Sequence, residues 1–216
     1  MTPLDQPSIF EDAFSGHFNH TDATQTLYSF SPKALGKFNC VSGKLVACDP
    51  FAYYGDAPFE AVFPTGQFPV ELAVAKINND ERVGFSRIVF SGQHPVKWQM
   101  GILPGEDVST LTGDRVFGYG VDSGTGCFLD ASQAEAYSKF IDDETGENYN
   151  KVSAELQKNT SNTWTSLIWQ QENLTVPMFS TGWGDGSYAS YIGFDKDGTI
   201  CRLVTDFALF EWPGKS

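Results

Sequence analysis

Three aspartates stand where a carboxylate could do chemistry. Asp122 follows a strand-like run and opens the glycine-rich stretch Asp122-Ser-Gly-Thr-Gly-Cys127. Asp185 lies within Gly182-Trp-Gly-Asp-Gly186, with glycine on both sides. Asp206 sits in the apolar run Leu203-Val-Thr-Asp-Phe-Ala-Leu-Phe210, where a buried carboxylate needs partners. Gathered by the fold, the three would offer oxygen ligands suited to magnesium, manganese or calcium rather than zinc. Asp185 would then orient a water while Asp122 and Asp206 hold the ion, which is the chemistry of a metal-assisted hydrolase. Environments that separate their pKa values would divide them into an acid and a base instead. The plainer alternative is the same for each residue: a carboxylate that accepts backbone N–H bonds and holds a turn.

The glycine loops suggest binding as well as catalysis. Gly124 and Gly126 in the first loop, and Gly184 and Gly186 in the second, allow close approach of a ligand. Trp183 and Tyr188 can stack on it, with Tyr191 close behind in sequence. The competing reading is a tight corner in a β-rich fold with aromatics packed in its core. Cys127 after two glycines could act as a nucleophile with His94 as its base, or be a buried apolar cysteine. His17 and His20 could share a metal on a helix, but Gly16 and Asn19 oppose helix there. Cys40, Cys48, Cys127 and Cys201 lack the spacing of a zinc site. Reduced thiols are expected, with an even count that leaves disulfides open, and Cys40 and Cys48 could meet across a hairpin. No nucleophile elbow, phosphate loop or dinucleotide fingerprint is present, and Asp195-Lys-Asp-Gly198 reads as a hairpin turn.

The elements that must position these residues read as short strands. Phe38–Val41 and Lys44–Cys48 flank Ser42-Gly43, the signature of a two-residue hairpin. Phe59–Phe63 and Val70–Ile77 alternate in hydrophobicity, and so do Val96, Trp98, Met100 and Ile102. Val83–Phe90 has unsorted faces, as expected of a strand covered on both sides. Short connections make these strands an antiparallel meander or sandwich sheet. After a glycine-rich strand at Val116–Val121, Asp130 is a helix N-cap, with Gln133 as its reciprocal partner. The helix runs from Ala131 to Ile141, with Ala134, Tyr137 and Ile141 forming its stripe. A short second helix covers Lys151–Lys158, and strands resume at Trp164–Trp169, Tyr188–Phe194 and Thr199–Phe207.

The 216-residue chain has 14 basic and 27 acidic residues, a formal charge of -13. That field repels phosphate backbones and anionic membrane surfaces, so nucleic acid and membrane are not expected partners. A basic protein, a divalent cation or a cationic ligand is compatible. The first basic residue is Lys33, and no apolar run reaches the length of a membrane helix, so a cytoplasmic location is expected.

The motifs together resemble the bacterial family catalogued as domain of unknown function 4241 (DUF4241). The resemblance rests on Ser42–Pro50, Phe68–Val70, His94–Trp98, Phe117–Phe128, Phe179–Tyr191 and Val204–Phe207. It marks Asp122, Gly124, Gly126, Trp183, Gly184, Asp185, Gly186, Tyr188, Gly193 and Asp206 as signature positions. It implies no activity and no catalytic residue.

The expected fold is mainly β, an antiparallel sandwich or curled sheets with one or two small helices. Residues 1–26 form an irregular N-terminal segment before a single β-rich domain, 27–216. The leading function is a non-catalytic binding domain for a small ligand or a basic protein partner. Its pocket would use the glycine loops with Trp183 and Tyr188. The alternatives are the hydrolase centred on Asp122, Asp185 and Asp206, and an acidic immunity-type protein. A homodimer is compatible with the sequence, which carries no symmetric interface signature.

Overall fold

The computed structural model describes residues 7–52, 56–113, 115–172 and 174–212; residues 1–6 of the N-terminal segment and the last four of the β-rich domain fall outside these. In chain order the elements are α1 (Ile9–Asp12), β1 (Asn19–Thr21), β2 (Leu27–Cys40), β3 (Leu45–Cys48), β4 (Gly66–Ile77) and β5 (Asp80–Val89). Next come β6 (Lys97–Met100), β7 (Tyr119–Val121), β8 (Thr125–Asp130), α2 (Ala134–Ile141), α3 (Glu147–Lys158) and β9 (Thr160–Ser161). The chain continues through β10 (Trp164–Gln171), β11 (Leu174–Ser180), β12 (Gly186–Tyr188), β13 (Ser190–Phe194) and β14 (Ile200–Asp206).

The fold is mainly β, with curled sheets and small helices. A seven-stranded sheet has the order β1-β2-β4-β5-β14-β13-β6, and a five-stranded sheet has the order β3-β8-β11-β10-β9. A two-stranded ladder joins β12 to β7. Every strand pair in these sheets is antiparallel.

Side-chain alternation sorts the apolar residues into three layers of core. Between the sheets lie Phe38, Leu72, Ile88, Phe128, Phe179 and Leu203. The outer face of the seven-stranded sheet is covered by Phe10 and Phe14 from one end of the described chain and by Leu209, Phe210 and Trp212 from the other. The outer face of the five-stranded sheet is covered by α2 and α3 through Tyr137, Ile141, Val152 and Leu156. Both sheets are therefore buried on two faces, which explains why β5 shows no polar side. The stripe expected on α2 is borne out: Ala134, Tyr137 and Ile141 are buried.

Two expectations are corrected. Ser42-Gly43 does not join a hairpin, because β2 pairs with β4 and β3 pairs with β8. The turn carries the chain from one sheet to the other. The buried Asp130 carboxylate holds it by accepting the N–H groups of Val41 at 2.7 Å and Ser42 at 2.8 Å. Phe59–Phe63 is not a strand, although Phe59 and Phe63 are buried. Their N–H groups bond to the Leu45 and Gly43 carbonyls, so this segment lies along β3 without forming a ladder.

Candidate functional site

The two glycine loops, more than fifty residues apart in sequence, meet in space. Gly186, Ser187 and Tyr188 pair with Val121, Gly120 and Tyr119. Beyond this ladder the Thr181 N–H donates to the Gly124 carbonyl at 3.1 Å. The Gly184 carbonyl accepts from the Thr181 hydroxyl at 2.8 Å and from the Tyr188 hydroxyl at 2.6 Å. Tyr188 is thus a brace for its own loop, and its ring packs edge-on against Phe207 in the central core. Two glycines are required by contact. A Cβ on Gly182, whose φ is +44°, would lie 2.5 Å from the Phe207 carbonyl oxygen, and one on Gly126 would lie 2.7 Å from the Tyr119 hydroxyl.

The braced loops display Trp183. It is 54% exposed, whereas Trp98, Trp164, Trp169 and Trp212 are each at most 7% exposed. The Arg82 guanidinium stacks over its ring at 5.1 Å and also contacts Asp80 at 2.7 Å. Asp122 and Asp185 are exposed on the same pair of loops.

Asp206 is not with them. On β14, Leu203 and Thr205 alternate with Val204 and Asp206, and Val204 belongs to the outer layer of the seven-stranded sheet. Period-two alternation therefore turns Asp206 away from the glycine loops. Its carboxylate accepts from the Ala208 N–H at 2.8 Å and the Trp212 Nε1–H at 2.9 Å. Of the expected trio, Asp206 is thus set apart from Asp122 and Asp185. Among the described residues no group of three His, Cys, Asp or Glu side chains is arranged to hold a metal ion. Nor do the other pairings converge. His94 is exposed and lies 3.9 Å from Glu11, while Cys127 is fully buried against Cys48. His20 lies on β1 and stacks on Phe210, and His17 precedes that strand.

The residues that shape the loops were missed as a pair. Asp49 is 2% exposed and accepts from the Asp122 and Ser123 N–H groups at 2.9 and 2.7 Å and from the Ser123 hydroxyl at 2.7 Å. It also receives the N–H groups of Phe51 and Ala52. Asp130 serves the same purpose between sheets and caps the helical segment by accepting from Ser132 N–H. The signal for Asp130 was its capping position. For Asp49 the only cue was a carboxylate directly after a continuous apolar run.

A cleft of about 100 Å³ opens beside the ladder, lined by Asp56, Phe59, Glu106, Tyr119, Tyr188 and Ser190. Burial holds the Asp56 carboxyl above the usual carboxylate range, and the charge of Asp49 adds to the effect. The Glu106 carboxylate is committed to the Leu103 N–H at 2.7 Å.

The fold and these braced loops define a mainly β domain with curled sheets. The chain belongs to the DUF4241 family, described as protein of unknown function, whose profile matches residues 38–205. No curated protein and no solved structure matches the chain.

Proposed function

We propose that this protein is a non-catalytic cytoplasmic binding domain that recognises a basic protein partner through its paired glycine loops. The observation that carries the reading is Trp183. Four tryptophans are used as core, and the fifth is held out on a loop by hydrogen bonds that fix its backbone. A rigidly presented tryptophan is the residue type that most often anchors a protein interface. Asp122 and Asp185 flank it, and the net charge of -13 would speed encounter with a basic surface. The immunity-type reading is a special case of this proposal. A small cationic ligand is the second reading, favoured by the cleft at Asp56 and Glu106. Among the described residues the metal-hydrolase reading has no carboxylate cluster to support it.

The test is retention of proteins from cell extract on immobilised wild type and on Trp183→Ala, with partner identification at low and moderate salt. A basic protein held at low salt, weakened by salt, and bound about 30-fold less tightly by Trp183→Ala is expected. Folding of that variant should be unchanged, because the side chain is outside the core. Retention indifferent to both the substitution and salt would sink the proposal.

A further inference from the structure

Cys48 and Cys127 sit directly opposite one another on β3 and β8. Their Sγ atoms are 3.4 Å apart, both residues are fully buried, and they are 79 positions apart in sequence. Their side chains point into the layer covered by α2 and α3, whereas Ala47 and Phe128 point into the central core. Cys40 and Cys201 share no such partner. The Cys40 position faces Gly66, and the Cys201 thiol lies against the Gly193 carbonyl. The hairpin pairing of Cys40 with Cys48 is thereby replaced by a cross-strand pair between distant segments.

We propose that Cys48 and Cys127 form a reversible disulfide by exchange with a low-molecular-weight disulfide. Opposed residues in an antiparallel pair have the Cα separation that a disulfide accepts. Closing the sulfurs from 3.4 Å to about 2.0 Å needs side-chain rotation rather than strand movement. In the folded state the neighbouring Cys127 thiol and burial both hold Cys48 protonated, so the closed protein is unreactive. The route in is β3, a four-residue strand at the edge of its sheet. Three hydrogen bonds latch the segment beyond it: the Tyr137 hydroxyl donates to the Pro50 carbonyl at 2.9 Å, and the Asp49 carboxylate accepts from the Asp122 and Ser123 N–H groups. Local opening of such an edge costs less than global unfolding.

The exchange balances. Cys48 loses its proton and attacks one sulfur of the reagent disulfide. The reagent's S–S bond breaks, a mixed disulfide forms on Cys48, and the departing thiolate takes up the proton. Cys127 then loses its proton and attacks the Cys48 sulfur. The protein disulfide forms and the second reagent thiolate leaves as thiol. Two electrons pass from the protein to the reagent, which is reduced to two thiols.

The test incubates the full chain with oxidised glutathione in mildly alkaline buffer, then maps its peptides without reduction. Wild type and a Cys40→Ala/Cys201→Ala double variant are treated in parallel, so the wild-type map stands if the variant fails to fold. A Cys48 peptide joined to a Cys127 peptide is expected, reversed by dithiothreitol and absent from Cys48→Ser. The oxidised protein should melt about 5 °C or more higher, because a long loop is closed in the unfolded chain. Free thiols at both positions after incubation in sub-denaturing urea would overturn the proposal. So would two separate glutathione adducts without a cross-link, or a lower melting temperature on oxidation.

Discussion

Asp130 shows how much one buried carboxylate can organise. Its two oxygens accept from Val41, Ser42 and Ser132, and so fasten a crossover between sheets to the start of a helix. Burial alone would raise its pKa. The hydrogen bonds from Ser132 and Ser42 outweigh that and hold it below the usual carboxylate range. A lowered folded pKa gives stability that is complete above the unfolded value of about 3.9 and is lost as pH falls through the folded one. Asp130→Asn places an amide N–H₂ against backbone donors and should cost about 3 kcal/mol at neutral pH. Urea unfolding from pH 7 to pH 3 should show the wild type losing its advantage over the variant at the acid end. A constant difference across that range would contradict the assignment. The same physics explains what was legible at Asp206: a carboxylate in an apolar run had to be a partnered one. What the sequence hid was its direction, because a residue's face depends on which neighbours its strand acquires.

At the scale of elements, periodicity located several of the strands but not their partners. α2 and the β13–β14 pair lie within the stretches their patterns marked, and β4 and β5 cover theirs almost fully while beginning earlier, at Gly66 and Asp80, because each buries apolar side chains in registers set by its own backbone; no strand was expected at β8. Ser42-Gly43 had the chemistry of a tight hairpin and became a crossover, since distant Asp130 claimed the Val41 and Ser42 amides. Phe59 and Phe63 alternated and were buried, yet no strand offered them a ladder. The pairing of β7 with β12 was likewise invisible locally, although both glycine loops were singled out. Their junction gives a sharp prediction. Gly182→Ala forces a Cβ to within 2.5 Å of the Phe207 carbonyl oxygen at a positive φ. A loss of about 2–4 kcal/mol is expected in denaturant unfolding. A change under 0.5 kcal/mol would mean the loop is not held as described.

The whole molecule is four layers deep, and its outermost apolar layer is built from both ends of the described chain. Phe10 is fully buried, with ring centroids 4.9 Å from Trp98, 4.7 Å from Tyr191 and 5.2 Å from Trp212. The described residues before Thr26, from position 7 on, are therefore packed structure through α1 and β1, and Glu11 pairs with Arg87 and with the buried Arg202. Phe10→Ala should cost about 3–5 kcal/mol and expose the aromatic face beneath it. Calorimetry and dye binding would check this. A variant as stable as wild type would show that the segment merely lies on the surface. Within the described residues no helix is long and apolar enough to cross a membrane.

The strand order has a consequence for how the protein is made. β5 is complete at Val89, yet one of its two neighbours in the sheet, β14, ends only at Asp206. A ribosome needs on the order of 10 s to add the residues between them. Throughout that interval β5 presents an unpaired apolar edge on a nascent chain. The β13–β14 hairpin must then enter the middle of the sheet, between β5 and β6, rather than extend its rim. A stalled or truncated product would therefore display an edge that the finished sheet never shows.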